Sequence, residues 1–339
     1  MSLAAAELDA VLEQGPRALL DRGIGSEGDL AHTESQGRLD GADAAAVSER
    51  ARQRGHDQLG TMGAGNHFVE LQRVDRIFDQ AVAEAFGLRE GQLTVLIHSG
   101  SRGLGHQVCS DHVRAMDAAM ARIGLTLPDR QLACAPVSSP EGRRYLAAMA
   151  AAANFAWANR QVIADRVRAA ITAVLGPRAA DATRQIYDVA HNVAKLETHG
   201  GRELWVHRKG ATRAFPTGAP DLPAAYRETG HPVFIPGSMG TASYVLVGKP
   251  GALEHSFGSA CHGAGRRMSR IGARRAIQGS ELRRSLEADG IVIRCASNKG
   301  LAEEAPFAYK DVEQVVAVVE AAGLAARVAR LRPLGVVKG

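Results

Sequence analysis

The sequence predicts an α+β fold, in which short strands and helices follow one another without the regular alternation of a doubly wound sheet. Two long helical segments dominate the first half, whereas short β-type runs separated by glycine and proline occupy the chain from about residue 184 onward. No internal repeat and no linker rich in proline, glycine or serine divides the 339 residues. We therefore expect one large domain over residues 1–339.

The first half of the chain is predicted to hold four helices and two strands. In the segments predicted to be helices, apolar residues recur at helical spacing. The segments predicted to be strands are rich in β-branched and aromatic residues. The helices are expected over residues 4–14, 42–55, 103–123 and 141–175, and the strands over 67–74 and 92–98. The second helix ends at Gly55, a typical C-terminal residue.

The second half is predicted to be mainly short strands. They are expected in the segments ELWVHRKG (203–210), PVFIPGSMG (232–240), SYVLVG (243–248) and GIVIRCAS (290–297). A last helix is expected in DVEQVVAVVEAAG, residues 311–323.

The longest apolar run, RYLAAMAAAANFAWANRQVI, is interrupted by Asn154 and Asn159. These amides and the flanking arginines predict a buried helix rather than a membrane span. The first residues lack the basic and apolar regions of a secretion signal, and four scattered cysteines form no CxxC pair. We therefore expect a reduced, cytoplasmic protein without membrane contact.

The charge balance is mildly basic. Lysine and arginine outnumber aspartate and glutamate by 41 to 36, a net charge of +5. This surplus permits an anionic partner such as a nucleic acid but does not require one.

Three histidines stand at or near the ends of β-type runs beside glycine or small polar residues: His67 in GTMGAGNHFVE, His98 in VLIHSGSRG and His191 in DVAHNVAK. Neutral imidazole is the commonest metal ligand in proteins, so the three could share one or two divalent ions. The alternative for each is a buried histidine bonded to a backbone carbonyl. The shared glycine-rich context favours a common site.

Four glycine-rich stretches form a second pattern: GTMGAGN (60–66), SGSRG (99–103), PGSMGTAS (236–243) and CHGAGRR (261–267). Such loops let a ligand approach the backbone, and their N–H groups can bind anions. The hydroxyls and guanidinium groups suited to phosphate belong to Ser238, Ser243, Arg102, Arg266, Arg267 and Arg270. The alternative is four tight turns. Neither a P-loop nor a GxGxxG motif after a strand occurs.

One histidine, His262 in SACHGAGRR, is surrounded by residues with almost no side chain and is followed by two arginines. This setting gives the imidazole open space and a neighbourhood that favours anions.

Eight motifs in this order resemble the RtcB family of RNA ligases over nearly the whole chain. They are GNHFVE, IHSGSRG, DVAHNVAK, HRKGATRAFP, PGSMGTASYVLVG, SACHGAGR, NKGLAEEAPFAYKDV and PLGVVKG. The resemblance implies strands and helices around a central cleft. It also implies joining of an RNA 3′-phosphate or 2′,3′-cyclic phosphate to a 5′-hydroxyl, with GTP and Mn²⁺, two ions in the family.

The resemblance also implies residue roles. His262 would be the nucleophile that forms guanylyl-histidine, and His67, His98 and His191 would bind Mn²⁺. The nucleotide contacts implied are Asn66, Glu70, Ser238, Ser243, Gly263, Ala264, Gly265, Tyr309 and Lys338. The contacts implied for RNA or phosphate are Arg102, Arg266 and Arg270. An archease-like activator is a further implied partner.

The front of the chain departs from the family, whose members carry a DVGCGM-type motif with an Asp and a Cys that complete the metal site. No such motif occurs here, so we expect a chain shortened at its N-terminus relative to the family. Three neutral histidines would then hold one ion weakly, or favour an ion such as Zn²⁺ over Mn²⁺.

Three hypotheses stay open. The first is an RNA ligase, and the second is a catalytically impaired GTP- or RNA-binding remnant or partner subunit of the same fold. The third is a metal-dependent phosphoester hydrolase, which would have no need of guanine contacts such as Glu70 and Lys338.

Overall fold

The computed structural model describes residues 1–129 and 132–339 and divides the chain into two compact units. The first comprises Met1–Thr61 and Ser99–Arg184, and the second Met62–His98 and Gln185–Gly339. Helices and strands are mixed irregularly along the chain, which confirms the predicted α+β class. One ligase domain over residues 1–339 stays a prediction.

The first unit is helical. Its α-helices are α1 (Ala5–Gln14), α2 (Glu27–Ala31), α3 (Glu49–Gly55), α5 (Arg102–Arg122), α6 (Pro140–Leu175) and α7 (Pro177–Asp181). The longest, α6, begins where Ser139 accepts a hydrogen bond from the backbone N–H of Gly142, with Pro140 at its first position. Its apolar middle packs Phe155 and Ala158 into a core shared with α1, α3 and α5.

Two buried asparagines explain the polar interruptions of the apolar run in α6. The Asn154 side chain accepts a hydrogen bond from Leu39 N and donates one to Leu12 O. That of Asn159 accepts from the backbone N–H groups of Gly60 and Thr61. Each side-chain amide therefore forms hydrogen bonds with backbone N–H or C=O groups that an apolar side chain would leave without a partner. Within the described parts of the chain, no helix is both long and apolar enough to cross a lipid bilayer.

The helix predicted over 42–55 is wrong in its first half. Asp43 accepts a hydrogen bond from Ala45 N and begins a short 3₁₀ turn over Ala44–Ala46. Ser48 then caps α3 separately by accepting from Ala51 N. Two capping side chains in one apolar stretch therefore divide it.

The second unit is built on a six-stranded sheet in which one strand is central. The strands are β1 (Phe68–Ile77), β2 (Leu93–His98), β6 (Pro232–Ile235), β7 (Ser243–Gly248), β9 (Val292–Cys295) and β10 (Ala325–Lys338). Their order is β2-β1-β10-β7-β6, and β9 pairs with the last residues of β10 in the parallel sense. Strand β10 is therefore bonded to three others.

Proline is accommodated in β10 by a β-bulge. Gln72 pairs with Pro333 but Leu71 pairs with Gly335, so Leu334 is an extra residue. Proline has no N–H to donate to the neighbouring strand, so a bulge beside Pro333 sacrifices few hydrogen bonds of the sheet.

Two smaller sheets carry residues of interest. Strands β3 (Asn192–His199) and β4 (Arg202–Lys209) form a hairpin through Gly200 and Gly201. Both glycines have positive φ, as a two-residue hairpin turn requires. The short strands β5 (Ala211–Arg213) and β8 (Ser259–Cys261) pair antiparallel.

The helices of the second unit are short. They are α4 (Gln80–Ala85), α8 (Pro250–Ser256), α9 (Arg270–Ala276), α10 (Gly279–Ala288), α11 (Asn298–Glu303) and α12 (Val312–Ala321). Helix α12 packs Val312, Val316 and Val319 against the sheet.

We expect Phe155→Ala in α6 to lower the free energy of unfolding by about 3–5 kcal/mol, because the ring is fully buried and its loss leaves a cavity. Urea denaturation followed by circular dichroism measures this change. Val174→Ala, on the same helix but 80% exposed, should change it by no more than about 0.5 kcal/mol. Similar small effects for both variants would contradict the packing of α6.

Candidate active site

Three half-buried histidines meet in the second unit, each at a strand end. His98 ends β2, His191 directly precedes β3, and His262 directly follows β8. The Nε2 atoms of His98 and His191 are 3.1 Å apart, and the rings of His191 and His262 stack with centroids separated by 4.3 Å. One ligand nitrogen from each of the three lies within 4.8 Å of the others.

Gly210, between β4 and β5, joins two of these histidines through its backbone. Its N–H donates to His191 O at 2.8 Å, and its carbonyl lies 2.8 Å from His262 Nδ1. A carbonyl oxygen only accepts, so this contact requires the proton on Nδ1. In the neutral ring the lone pair of His262 is then on Nε2, the nitrogen available for attack or ligation.

The small residues around His262 bring separate loops into contact. Ala264 N donates to Pro236 O at 3.0 Å, and Gly265 O accepts from Lys310 N at 2.9 Å. Gly263 and Gly265 leave no side chain beside these contacts. The loop after β8 thereby lies against the start of PGSMGTAS and against the segment that holds Tyr309.

A pocket beside this loop contains most of the predicted nucleotide residues. Its lining includes Asn66, Phe68, Glu70, Ser238, Ser243, Glu304, Tyr309 and Lys338. Phe68 and Glu70 stand two residues apart on β1 and so share a face, and Phe68 pairs with Lys338 of β10. The register of one strand pair therefore places a carboxylate and an ammonium in the same pocket.

Glu304, which sequence reasoning missed, is the anionic centre of that pocket. Its buried carboxylate accepts hydrogen bonds from the Tyr309 hydroxyl, from Arg266 at 3.2 Å and from Arg270 at 3.2 Å, and Lys338 Nζ is 4.0 Å away. The only sequence signal was the second of two adjacent glutamates in GLAEEAP.

Two of the three arginines predicted to contact RNA or phosphate lie beside this pocket and differ in their surroundings. Arg266 directs its donors to Glu304, Tyr309 and the carbonyls of Met268 and Glu303. The Arg270 side chain is 52% exposed and lies against Gly65. Arg270 is therefore the better placed of the two to meet an entering anion.

Burial and charge perturb the pocket in opposite directions. Burial raises the pKa of Glu70 to about 7, against the lowering effects of Gln72 and Lys338. Burial lowers the pKa of Lys338, although Glu304 and Glu70 oppose this shift. Burial also tends to raise the pKa of Glu304. The charge of Lys338 and the hydrogen bonds that Glu304 accepts outweigh burial, so the pKa of Glu304 is lowered. The pocket thus holds one carboxylate that titrates near neutrality and one that stays ionised.

Two other predicted residues belong neither to the three-nitrogen cluster nor to the pocket lining. His67 directly precedes β1, and among the described residues the three-nitrogen cluster contains His262 in its place. Arg102 belongs to the first unit, where it begins α5 and donates to Thr61 Oγ1 at 3.0 Å. Their roles in metal and phosphate binding stay predictions.

The donor set fits a borderline divalent ion. Two nitrogens that share an ion with bonds of about 2.1 Å are separated by about 3.0 to 3.4 Å, and those of His98 and His191 are 3.1 Å apart. The ligands in the cluster are imidazoles, which suit Zn²⁺ better than they suit Mn²⁺.

The second unit thus combines an imidazole cluster that could hold a metal ion with a pocket lined by complementary charges. The sequence profile of the family described as tRNA-splicing ligase RtcB matches residues 1–339. The chain belongs to this RtcB family.

Named relatives agree with this assignment. A tRNA-splicing ligase RtcB from Thermococcus kodakarensis is 54% identical over 338 residues, which cover 98% of this chain and 70% of the relative. One from Archaeoglobus fulgidus has the same identity and coverage. An RNA-splicing ligase RtcB from Mycobacterium tuberculosis is 52% identical over 340 residues, covering 98% and 76%. Because the family match runs over residues 1–339, the expected loss of a front segment gains no support from it.

We expect His191→Ala to weaken Zn²⁺ binding by at least about tenfold, because it removes a ligand from the cluster. Competition with a chromophoric chelator measures the affinity. His207→Ala, which changes an exposed histidine on β4, is the matched control and should leave it unchanged. Equal affinities of both variants and the parent protein would rule out this metal site.

Proposed function

We propose that this chain is an RNA ligase that joins RNA 3′-phosphate or 2′,3′-cyclic phosphate ends to 5′-hydroxyl ends, with GTP and Mn²⁺. Family membership supports an enzyme of this class, since the similar proteins are named as tRNA- or RNA-splicing ligases. The observation that carries the proposal is the 2.8 Å contact between His262 Nδ1 and Gly210 O.

In the first step, His262 Nε2 attacks the α-phosphorus of GTP. A P–N bond forms and the bond from that phosphorus to the pyrophosphate oxygen breaks, so the ring acquires a positive charge. The Nδ1 proton remains hydrogen-bonded to Gly210 O, which stabilises the charge and fixes the ring orientation. The small residues beside His262 leave room for the triphosphate.

The pocket supports selectivity for guanine. A carboxylate at Glu70 can accept from the guanine N1–H and N2–H, and the Lys338 ammonium can meet an acceptor on another edge. Tyr309, Ser238, Ser243 and Asn66 line the same pocket and provide further polar contacts. Adenine presents no comparable pair of donors, so it would leave Glu70 unpaired.

The metal would be held by His98 and His191, with His67 as the further expected ligand. When bound, Mn²⁺ supplies positive charge that offsets the charge of the phosphate oxygens. Arg270 is placed to add to this charge from the protein side.

A second candidate is a catalytically impaired nucleotide- or RNA-binding subunit of the same fold. It is favoured by the imidazole-only composition of the described metal cluster, which gives a dication no charge compensation. An archease-like activator would fit either candidate. The four free cysteines suit a reducing compartment, and we propose that the protein acts in the cytoplasm.

We expect incubation with GTP and Mn²⁺ to add one GMP mass to the protein, detected by intact-mass spectrometry. His262→Ala removes the nucleophile and should abolish the adduct. His255→Ala, an exposed histidine on α8, should retain it. GTP binding without any adduct would favour the second candidate.

We expect guanosine to bind more weakly as the pH falls through about 7, because protonation of Glu70 removes the acceptor for guanine. With a pKa of about 7, the ionised fraction falls about tenfold between about pH 8 and pH 6. Calorimetric titration at several pH values tests this. Glu70→Gln should bind weakly with no such dependence, and a flat profile for the parent protein would contradict the assignment of Glu70.

A further inference from the structure

A cluster of buried ion pairs joins β3, β4 and β5 and contacts the start of β8, the strand that precedes the candidate nucleophile. Glu197 on β3 meets Arg208 on β4 and Arg213 on β5, and the side chains of Glu197 and Arg208 are each 1% exposed. His199 Nε2 also contacts the Glu197 carboxylate, at 3.0 Å. None of these four side chains belongs to the metal cluster or the nucleotide pocket.

Both oxygens of Glu197 are used. Oε1 accepts from Arg208 Nη1 at 2.6 Å and from Arg213 Nε at 2.8 Å, and Oε2 accepts from Arg208 Nη2 at 2.9 Å. The Arg208 contact is a two-point pairing of planar groups, the geometry that fixes orientation best. Burial alone would raise the pKa of Glu197, but these bonds and charges lower it to about 2.

The cluster is hydrogen-bonded to the start of β8, the strand that directly precedes His262. Arg208 Nε donates to Ser259 Oγ at 3.0 Å, and its Nη2 donates to Phe257 O at 2.8 Å. Ser259 begins β8 and pairs with Arg213 of β5, and β8 ends one residue before His262. One guanidinium therefore bonds Glu197 on one side and the start of β8 on the other.

The same hairpin also presents the acceptor of His262. Strand β4 ends at Lys209, and the next residue is Gly210, whose carbonyl contacts Nδ1 of His262. The acceptor and the ring thus approach from two segments, and Arg208 joins those segments. Apolar side chains in place of this ion cluster would pack without directional bonds, and they would not fix the position of β8 relative to Gly210.

We infer that Glu197 and Arg208 are positioning residues for the attacking histidine, because they lock β8 to the hairpin that ends at Gly210. This inference rests on the proposed function, since it assigns the cluster to the step in which His262 reacts with GTP. No side chain of the cluster lines the nucleotide pocket, so the cluster should act on the rate of that step rather than on GTP affinity.

Three variants test the inference with graded severity. Glu197→Gln keeps the shape but removes the negative charge that pairs with both Arg208 and Arg213, and Arg208→Lys keeps the charge but loses the planar pairing. Ser259→Ala removes the bond from Arg208 to the Ser259 hydroxyl and the 3.3 Å bond from that hydroxyl to Phe257 O, and it leaves every charge in place. It therefore tests the inference if the other two variants fail to fold. Asp29→Asn is the matched control, because Asp29 is a buried carboxylate paired at two points with Arg168 in the first unit.

The first readout separates rate from affinity. We expect Glu197→Gln to slow GMP-adduct formation at saturating GTP by about 10- to 100-fold, the scale of a misplaced reacting group. The GTP dissociation constant should stay within about twofold of the parent value. Ser259→Ala should show a smaller decrease of the same kind, and Asp29→Asn should lower thermal stability without slowing the adduct.

The second readout needs no nucleotide. In protein labelled with ¹⁵N-histidine, the His262 signals, assigned by their loss in His262→Ala, report which ring nitrogen carries the proton. We expect an Nδ1 proton in the parent protein and in Asp29→Asn, and a mixture of both tautomers in Glu197→Gln and Ser259→Ala. A folded Glu197→Gln or Ser259→Ala protein with unchanged tautomer would overturn the inference. If the parent protein forms no adduct, the proposed function fails, and the tautomer measurement still decides the positioning role.

Discussion

The two backbone hydrogen bonds of Gly210 are the interaction on which the candidate site depends. The N–H holds His191 through its carbonyl, and the C=O holds the His262 ring, so one peptide position sets the spacing of both histidines. Its φ of +67° is strained for other residues, and a Cβ would lie 3.4 Å from the His262 ring. The preference for glycine is therefore conformational, since a Cβ at that distance would make an ordinary van der Waals contact.

The nucleotide pocket depends on a different constraint, the pairing of β1 with β10. Glu70 and Lys338 are far apart in sequence, and the ladder alone brings them into one cavity. The bulge at Leu334 sets the register of the last four residues of β10. Because side chains alternate across a strand, a slip of one residue would turn Lys338 away from Glu70 and leave the carboxylate without its cation.

Sequence reasoning predicted α5, α6 and β7 closely, because each has a strong local pattern and a clear start. It missed β3, which is stabilised by its hairpin partner β4, and β8, which is stabilised by pairing with β5, a segment distant in the chain. The small neighbours of His262 predicted open space around it, whereas the ring is half-buried and stacks on that of His191. Sequence reasoning placed His98 and His191 in a common site but joined them with His67 rather than His262, and it missed Glu304, because these groupings arise from contacts between segments that no local spacing encodes.

The central position of β10 has a consequence for how the protein is made. The chain produces the hairpins β1–β2 and β6–β7 before β10 exists, and each then exposes an edge of unpaired backbone groups. Strand β10 later inserts between them and closes both edges at once. During translation the nascent chain therefore carries one unpaired strand edge once His98 has been made and a second once Gly248 has been made, and both stay open until β10 follows.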